Sequence, residues 1–226
     1  MSDVQGRING YWTGRAPAYD DYQRRPERFS ADQAAWAKVW EQALPAAPAD
    51  VLDVGTGSGQ VAVMLAGLGH RVTGIDLAEG MLDRARAHAA AMDNPPTILR
   101  GDAVEPGFPA AGFDAITSRY LLWTLREPQA ALANWTRLLR PGGMIAAVDS
   151  TWFPRGVDIY DDEVRAALPL AAATSIQQSV ALFEQAGLTD VTLTPLTTIL
   201  ELDQRYGVAE NHEVQLQYLV TGHVAV

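Results

Sequence analysis

The chain contains no cysteine. Disulfide frameworks, thiolate nucleophiles and cysteine-based metal sites are therefore excluded, and no metal is expected. Basic charge is scarce too. Seventeen Lys and Arg stand against 27 Asp and Glu, a formal net charge of −10, and Lys38 is the sole lysine. A broad nucleic-acid surface needs clustered cations, so nucleic acid is not an expected partner. No apolar run approaches the ~20 residues of a membrane span. The opening Met-Ser-Asp-Val-Gln-Gly-Arg lacks the apolar core of a secretory signal. A cytoplasmic protein, monomeric or homodimeric, with no membrane partner is the expectation. What is present is 226 residues, 48% hydrophobic and 19% charged, which suits one well-buried domain.

The densest signal lies at residues 51–60, Val-Leu-Asp-Val-Gly-Thr-Gly-Ser-Gly-Gln. Val51, Leu52 and Val54 read as a short buried strand that ends on a glycine turn. Val61, Met64, Leu65 and Leu68 then recur at helical spacing. Strand, glycine turn and helix in that order form the ligand-facing corner of a doubly wound α/β domain. A dinucleotide fingerprint requires its third glycine at position 60, where Gln60 stands. The pattern is instead Asp-x-Gly-x-Gly-x-Gly over Asp53, Gly55, Gly57 and Gly59. A carboxylate at that strand end repels a pyrophosphate and suits a ligand carrying ammonium and sulfonium charge.

Further acids recur at later strand ends. Arg71–Asp76 reads as a second strand, and Asp76 lies 23 residues after Asp53, near the spacing at which an acid meets a ribose. A helix to about Met92 follows. A third strand, Thr97–Arg100, delivers Gly101-Asp102-Ala103, and a fourth, 113–118, runs into Arg119-Tyr120-Leu121-Leu122-Trp123. Leu132, Trp135, Leu138 and Leu139 form a helical face closed by Arg140-Pro141-Gly142-Gly143. The continuous apolar run from Met144 to Val148 is a parallel strand by composition.

From about residue 48 to 150 this succession resembles the class I S-adenosylmethionine-dependent methyltransferases, in particular small-molecule enzymes of the ubiquinone and menaquinone biosynthesis type. The resemblance rests on the glycine motif, Asp76-Leu77-Ala78-Glu79-Gly80-Met81, Gly101-Asp102-Ala103 and Leu-Leu-Arg-Pro-Gly-Gly. It implies a Rossmann-like, mostly parallel seven-stranded sheet with an antiparallel C-terminal hairpin and an N-terminal helical lid. It also implies S-adenosylmethionine as cofactor, held by the turn from Asp53 through Gly55, Thr56, Gly57 and Gly59. Asp76 would take the ribose, Leu77 and Met81 would flank the adenine, and Asp102 with Gly101 and Ala103 would lie along its edge. In such enzymes a Tyr or Arg of an N-terminal arm reaches the cofactor's carboxylate, which nominates Tyr11, Arg15 and Tyr19. Arg119, at the carboxyl edge of the sheet, is a further carboxylate candidate.

The whole chain is read as one domain: residues 1–45 as lid and first packing helix, 48–150 as cofactor core, 151–226 as substrate insertion and last strands. Residues 11–22 hold three tyrosines, a tryptophan and Arg15, more contact chemistry than a tether needs. A water-excluding lid is the reading there, and the domain is expected to stay folded without residues 1–24. Ser30 with Gln33 resembles a capping box opening the next helix. Its stripe of Trp36, Val39, Trp40, Ala43 and Leu44 is read as core. The final strands are placed at 191–194 and 217–220.

Tyr22, Tyr120, Trp123, Asp149, Trp152 and Tyr160 are the candidates for lining an acceptor pocket. A base is needed only for a protonated amine or a hydroxyl of high pKa, and Tyr22, Tyr120 and His212 are its weak candidates. The activity expected is methyl transfer to O, N or C of a small molecule. Alternatives are a cyclisation that uses the cofactor without consuming it, a nicotinamide-dependent oxidoreductase, and a catalytically silent interaction protein.

Overall fold

The computed structural model describes residues 3–153, 159–209 and 213–226. Helices α1 (Val4–Gln23) and α2 (Pro26–Ala43) precede β1 (Asp50–Val54) and α3 (Gln60–Gly67). β2 (Arg71–Asp76), α4 (Glu79–Ala89), β3 (Thr97–Arg100) and β4 (Phe113–Arg119) follow. After a 3-10 turn at Leu122–Thr124 come α5 (Pro128–Leu138) and β5 (Leu139–Asp149). The chain ends with α6 (Asp162–Ala166), α7 (Gln177–Gln185), β6 (Thr189–Pro195), α8 (Thr197–Tyr206) and β7 (Tyr218–His223).

The seven strands run in the order β3-β2-β1-β4-β5-β7-β6. β1 to β5 are mutually parallel, and β7 is antiparallel to both of its neighbours. This is the Rossmann-like arrangement expected, and its alternating side chains build two cores. Leu52, Val54, Ile116 and Ile145 face α5 and α7 on one side, where Val4 and Ile8 of α1 join them. Val51, Ala115, Met144 and Ala146 face Trp40 of α2, Leu65 of α3 and Ile199 of α8 on the other. The strand order reverses between β1 and β4, so their carboxyl ends open the crevice where ligands bind in such sheets.

The N-terminal arm is helical, as the resemblance implied, while several other elements differ from the sequence expectations. The N-terminal arm is a 20-residue helix whose buried residues Val4, Ile8, Ala16 and Asp20 fall on a four-residue period. Its capping comes from Asp3, whose carboxylate accepts from the Gly6 N–H. Pro17 leaves the Thr13 carbonyl without its usual helical donor. That carbonyl lies where only a glycine fits opposite it, since a Cβ on Gly80 would stand 2.6 Å away. α1 thus seats closely on α4, and the pair is fastened by His88 Nε2 against both Asp20 oxygens at 2.9 Å.

α2 starts at Pro26, in the first turn where the missing N–H costs nothing, so Ser30 lies inside the helix and caps nothing. α4 stops at Ala89, short of Met92. Helix α5 ends at Leu138, and Leu139 through Gly143 already belong to β5. β6 and β7 pair as expected, but α8 is inserted between them in place of a tight hairpin connection. Among the described residues no helix is long and apolar enough to cross a membrane.

Candidate cofactor and acceptor site

The carboxyl ends of β1, β2, β3 and β4 line one cavity, roofed by α1. The three motif glycines all have positive φ (+66°, +55° and +82°), yet they are required for two different reasons. A Cβ on Gly55 would meet Leu121 at 2.6 Å, and one on Gly59 would meet the Ala85 Cβ at 2.9 Å. A Cβ on Gly57 would meet nothing within 4 Å. Gly55 and Gly59 serve packing, whereas Gly57 faces the open cavity, which it lines. Gly59 does not line it.

Asp53 is buried at the end of β1, accepts from the Thr117 hydroxyl at 2.9 Å and lies beside the Thr56 hydroxyl. Burial pushes its pKa up to about 6, opposed by hydroxyl hydrogen bonds and the Arg119 charge. Asp76 accepts from the Gly57 N–H at 2.9 Å and from the Ala78 N–H at 2.8 Å. The second-strand acid therefore also braces the glycine turn. Burial raises its pKa, and the backbone N–H groups work against that.

Among the described residues Ser58 Oγ and Gln60 Nε2 are also buried without partners, and with Thr56 and Asp53 they line this end. Buried polar atoms left unpaired are costly. Their concentration here fits a ligand that brings ammonium and hydroxyl groups to them. Leu77, Met81, Gly101, Asp102 and Ala103 line the same cavity. Asp102 is exposed and accepts from the Val104 N–H, and Trp135 Nε1 of α5 pins the Ala103 carbonyl at 2.7 Å.

Arg119, from the end of β4, sits over the rings of Trp36 and Tyr120, 4.9 Å from each centroid. Its Nη2 donates to Gln23 Oε1 at 3.5 Å, and it forms no ion pair among the described residues. From α1, Trp12, Tyr19 and Tyr22 line the cavity. Tyr11 and Arg15 do not. Tyr11 packs edge-on against Trp12 and Tyr160, and Arg15 is exposed.

The far end of the cavity is walled by Tyr22, Trp36, Tyr120 and Trp152, and Trp123 also lines it. Tyr120 donates its hydroxyl to Gln217 at 2.7 Å, and burial raises its pKa, so it stands as a neutral donor already engaged and not as a base. Asp149 lies behind this wall. It accepts from the Trp152 indole and the Ser150 N–H, and burial pushes its pKa up to about 7. Tyr160 is buried between Tyr11 and Trp123, outside the cavity lining. His212 lies outside the described residues. Trp36, Arg28, Asp203 and Gln217 line the cavity without having been nominated from sequence. Trp36 gave the one local signal, an aromatic on the stripe of α2, and it read as core.

Fold and site together define a Rossmann-like α/β protein whose strand-end acids and glycine turn open on one cavity at the topological switch point. A family profile described as "Methyltransferase domain" matches residues 52–147. The ubiquinone/menaquinone biosynthesis C-methyltransferase UbiE of Roseobacter denitrificans is 30% identical over 174 residues, 70% of this chain and 67% of that protein. The demethylmenaquinone methyltransferase of Thermus thermophilus is 34% identical over 143 residues, 62% of this chain and 64% of that one. The match thus spans about two thirds of the length of these relatives. A Haemonchus contortus phosphoethanolamine N-methyltransferase 2, solved with S-adenosylmethionine, has the same fold at 17% identity and a TM-score of 0.63, covering 91% of this chain and 60% of that one. The chain belongs to the class I S-adenosylmethionine-dependent methyltransferases.

Proposed function

We propose that this protein transfers a methyl group from S-adenosylmethionine to a small-molecule acceptor. The observation that carries the reading is a pair of acids, the buried Asp53 and the half-buried Asp76, set around a glycine turn whose central glycine faces empty space. When bound, the cofactor supplies a methyl group made electrophilic by its sulfonium. Asp76 has lone pairs for the ribose hydroxyls beside those used by Gly57 and Ala78. Leu77 and Met81 offer apolar contact to the adenine, and Asp102 an acceptor for its amine. Asp53 lends negative charge near the ammonium, and Arg119 meets the carboxylate.

The remaining residues align and enclose. In-line displacement is accelerated chiefly by placing nucleophile and methyl group together. The aromatic wall of Trp36, Tyr120 and Trp152 supports an acceptor with an apolar body, and α1 roofs the cavity and excludes water. Tyr120 and Tyr22 both have pKa values raised by burial, so neither is ionised near neutral pH. An acceptor that arrives with an accessible lone pair or an activated carbon needs no base from either tyrosine. The relatives named above favour a small molecule of that kind.

The test is incubation with methyl-tritiated S-adenosylmethionine and a series of quinols, phenols and amines, beginning with demethylmenaquinone. Label should move to an acceptor with one S-adenosylhomocysteine released per methyl transferred. Product formed while the cofactor stays intact would contradict methyl transfer and return the cyclisation reading.

A further inference from the structure

A buried polar chain runs from α2 through α8 and the approach to β7 to the end of β4. Arg28, buried on α2, pairs through Nε with Asp32 at 2.7 Å and through Nη2 with Asp203 of α8 at 2.7 Å. Its Nη1 donates to the Gly207 carbonyl just past α8. Asp203, buried as well, accepts from Gln217 Nε2 at 2.9 Å, and Gln217 Oε1 accepts from the Tyr120 hydroxyl at 2.7 Å. Arg28, Asp32, Asp203, Gln217 and Tyr120 all line the cavity.

The chain ends on a strained residue. Tyr120 has φ +62°, a region that bulky side chains rarely occupy and that persists only where surroundings over-determine it. Two hydrogen bonds hold it: its N–H donates to the Val148 carbonyl at 2.9 Å, and its hydroxyl donates to Gln217. Held so, the ring lies beneath the Arg119 guanidinium and edge-on to Trp152, with centroids 4.8 Å apart. Among the described residues Arg119 is held by these aromatic faces, the long bond to Gln23 and the Tyr19 hydroxyl, with no carboxylate paired to it.

We propose that Asp203 and Gln217 are positioning residues for the cofactor's carboxylate, acting through Tyr120 on Arg119. This rests on the cofactor assignment made above. It gives α8 a role in ligand binding, although α8 follows the glycine turn by more than a hundred residues of sequence. Loss of the Gln217 bond frees the Tyr120 ring to relax from its strained backbone, and Arg119 loses the face that aims it.

Two ligands isolate this effect: S-adenosylhomocysteine, which carries the carboxylate, and 5′-methylthioadenosine, which has the same nucleoside without it. Gln217→Leu and Tyr120→Phe should each weaken S-adenosylhomocysteine about tenfold by calorimetry and leave 5′-methylthioadenosine within about twofold. The double variant should be no weaker than either single one, because both cut the same link. Asp203→Asn, which keeps an acceptor for Gln217, should retain most of the affinity that Asp203→Ala loses. Equal weakening of both ligands, or additive losses in the double variant, would overturn the proposal. Tyr120→Phe removes a single oxygen and serves if Gln217→Leu does not fold. Wild-type protein that binds neither ligand would instead remove the cofactor assignment itself.

Discussion

Gly57→Val should abolish S-adenosylhomocysteine binding, with at least a hundredfold loss, in a protein that still folds. A Cβ at this position meets no protein atom within 4 Å, so the fold is charged only for backbone strain. That strain at φ +55° amounts to about 1–2 kcal/mol for a side-chain-bearing residue, and more for a β-branched one. The isopropyl group would fill the space where the ligand lies against the turn, beside the N–H that donates to Asp76. Gly59→Val provides the contrast, since its Cβ would run into Ala85 and its loss should fall on stability first. Calorimetry with a parallel thermal melt reads both. Binding retained in Gly57→Val would place the ligand elsewhere in the cavity.

Removal of residues 1–24 should cost both binding and fold. From sequence the arm looked separable, a lid over an independent domain. Val4, Ile8 and Ala16 are instead buried, Val4 and Ile8 in the core shared with α5 and α7. Fully burying an aliphatic side chain of that size is worth about 1.5–3 kcal/mol. Losing these contacts, with Trp12 and the Asp20–His88 pair, consumes much of the roughly 5–15 kcal/mol that holds a domain. The truncated chain should melt at least 10 °C lower, by the usual relation of stability to melting temperature, and should not bind S-adenosylhomocysteine. A native melting curve with intact binding would mean that α1 only decorates the surface.

What sequence could convey here depended on how local each feature is. The glycine turn, Asp53 and Asp76 were legible because each is fixed by its own strand end and by spacing along one βαβ unit. Strand β5 was legible as a continuous apolar run, and β1 to β4 as short stretches with apolar residues that end at a glycine turn or an acid or run into Arg119. The periodicity of helix α1 was obscured because its buried stripe mixes Val4, Ile8 and Ala16 with Asp20, and the helix carries Pro17. Helix α8 was missed for a similar reason, since Ile199 and Asp203 are its only buried residues. The Arg28–Asp203–Gln217–Tyr120 chain joins positions up to 189 residues apart, and no window along the sequence brings them together. Tyr120 reads as an ordinary aromatic until its positive φ is seen. Trp36 was assigned to the core, where it does lie at 4% exposure, but its ring also carries Arg119.

The central claim is the identity of the ligand at the glycine turn, and calorimetric titration of the wild-type protein with S-adenosylhomocysteine and, separately, with NADH tests it most directly. A dissociation constant in the micromolar range or tighter, about −8 kcal/mol or better, is expected for S-adenosylhomocysteine, with no heat from NADH. Binding of NADH with none of S-adenosylhomocysteine would contradict the account.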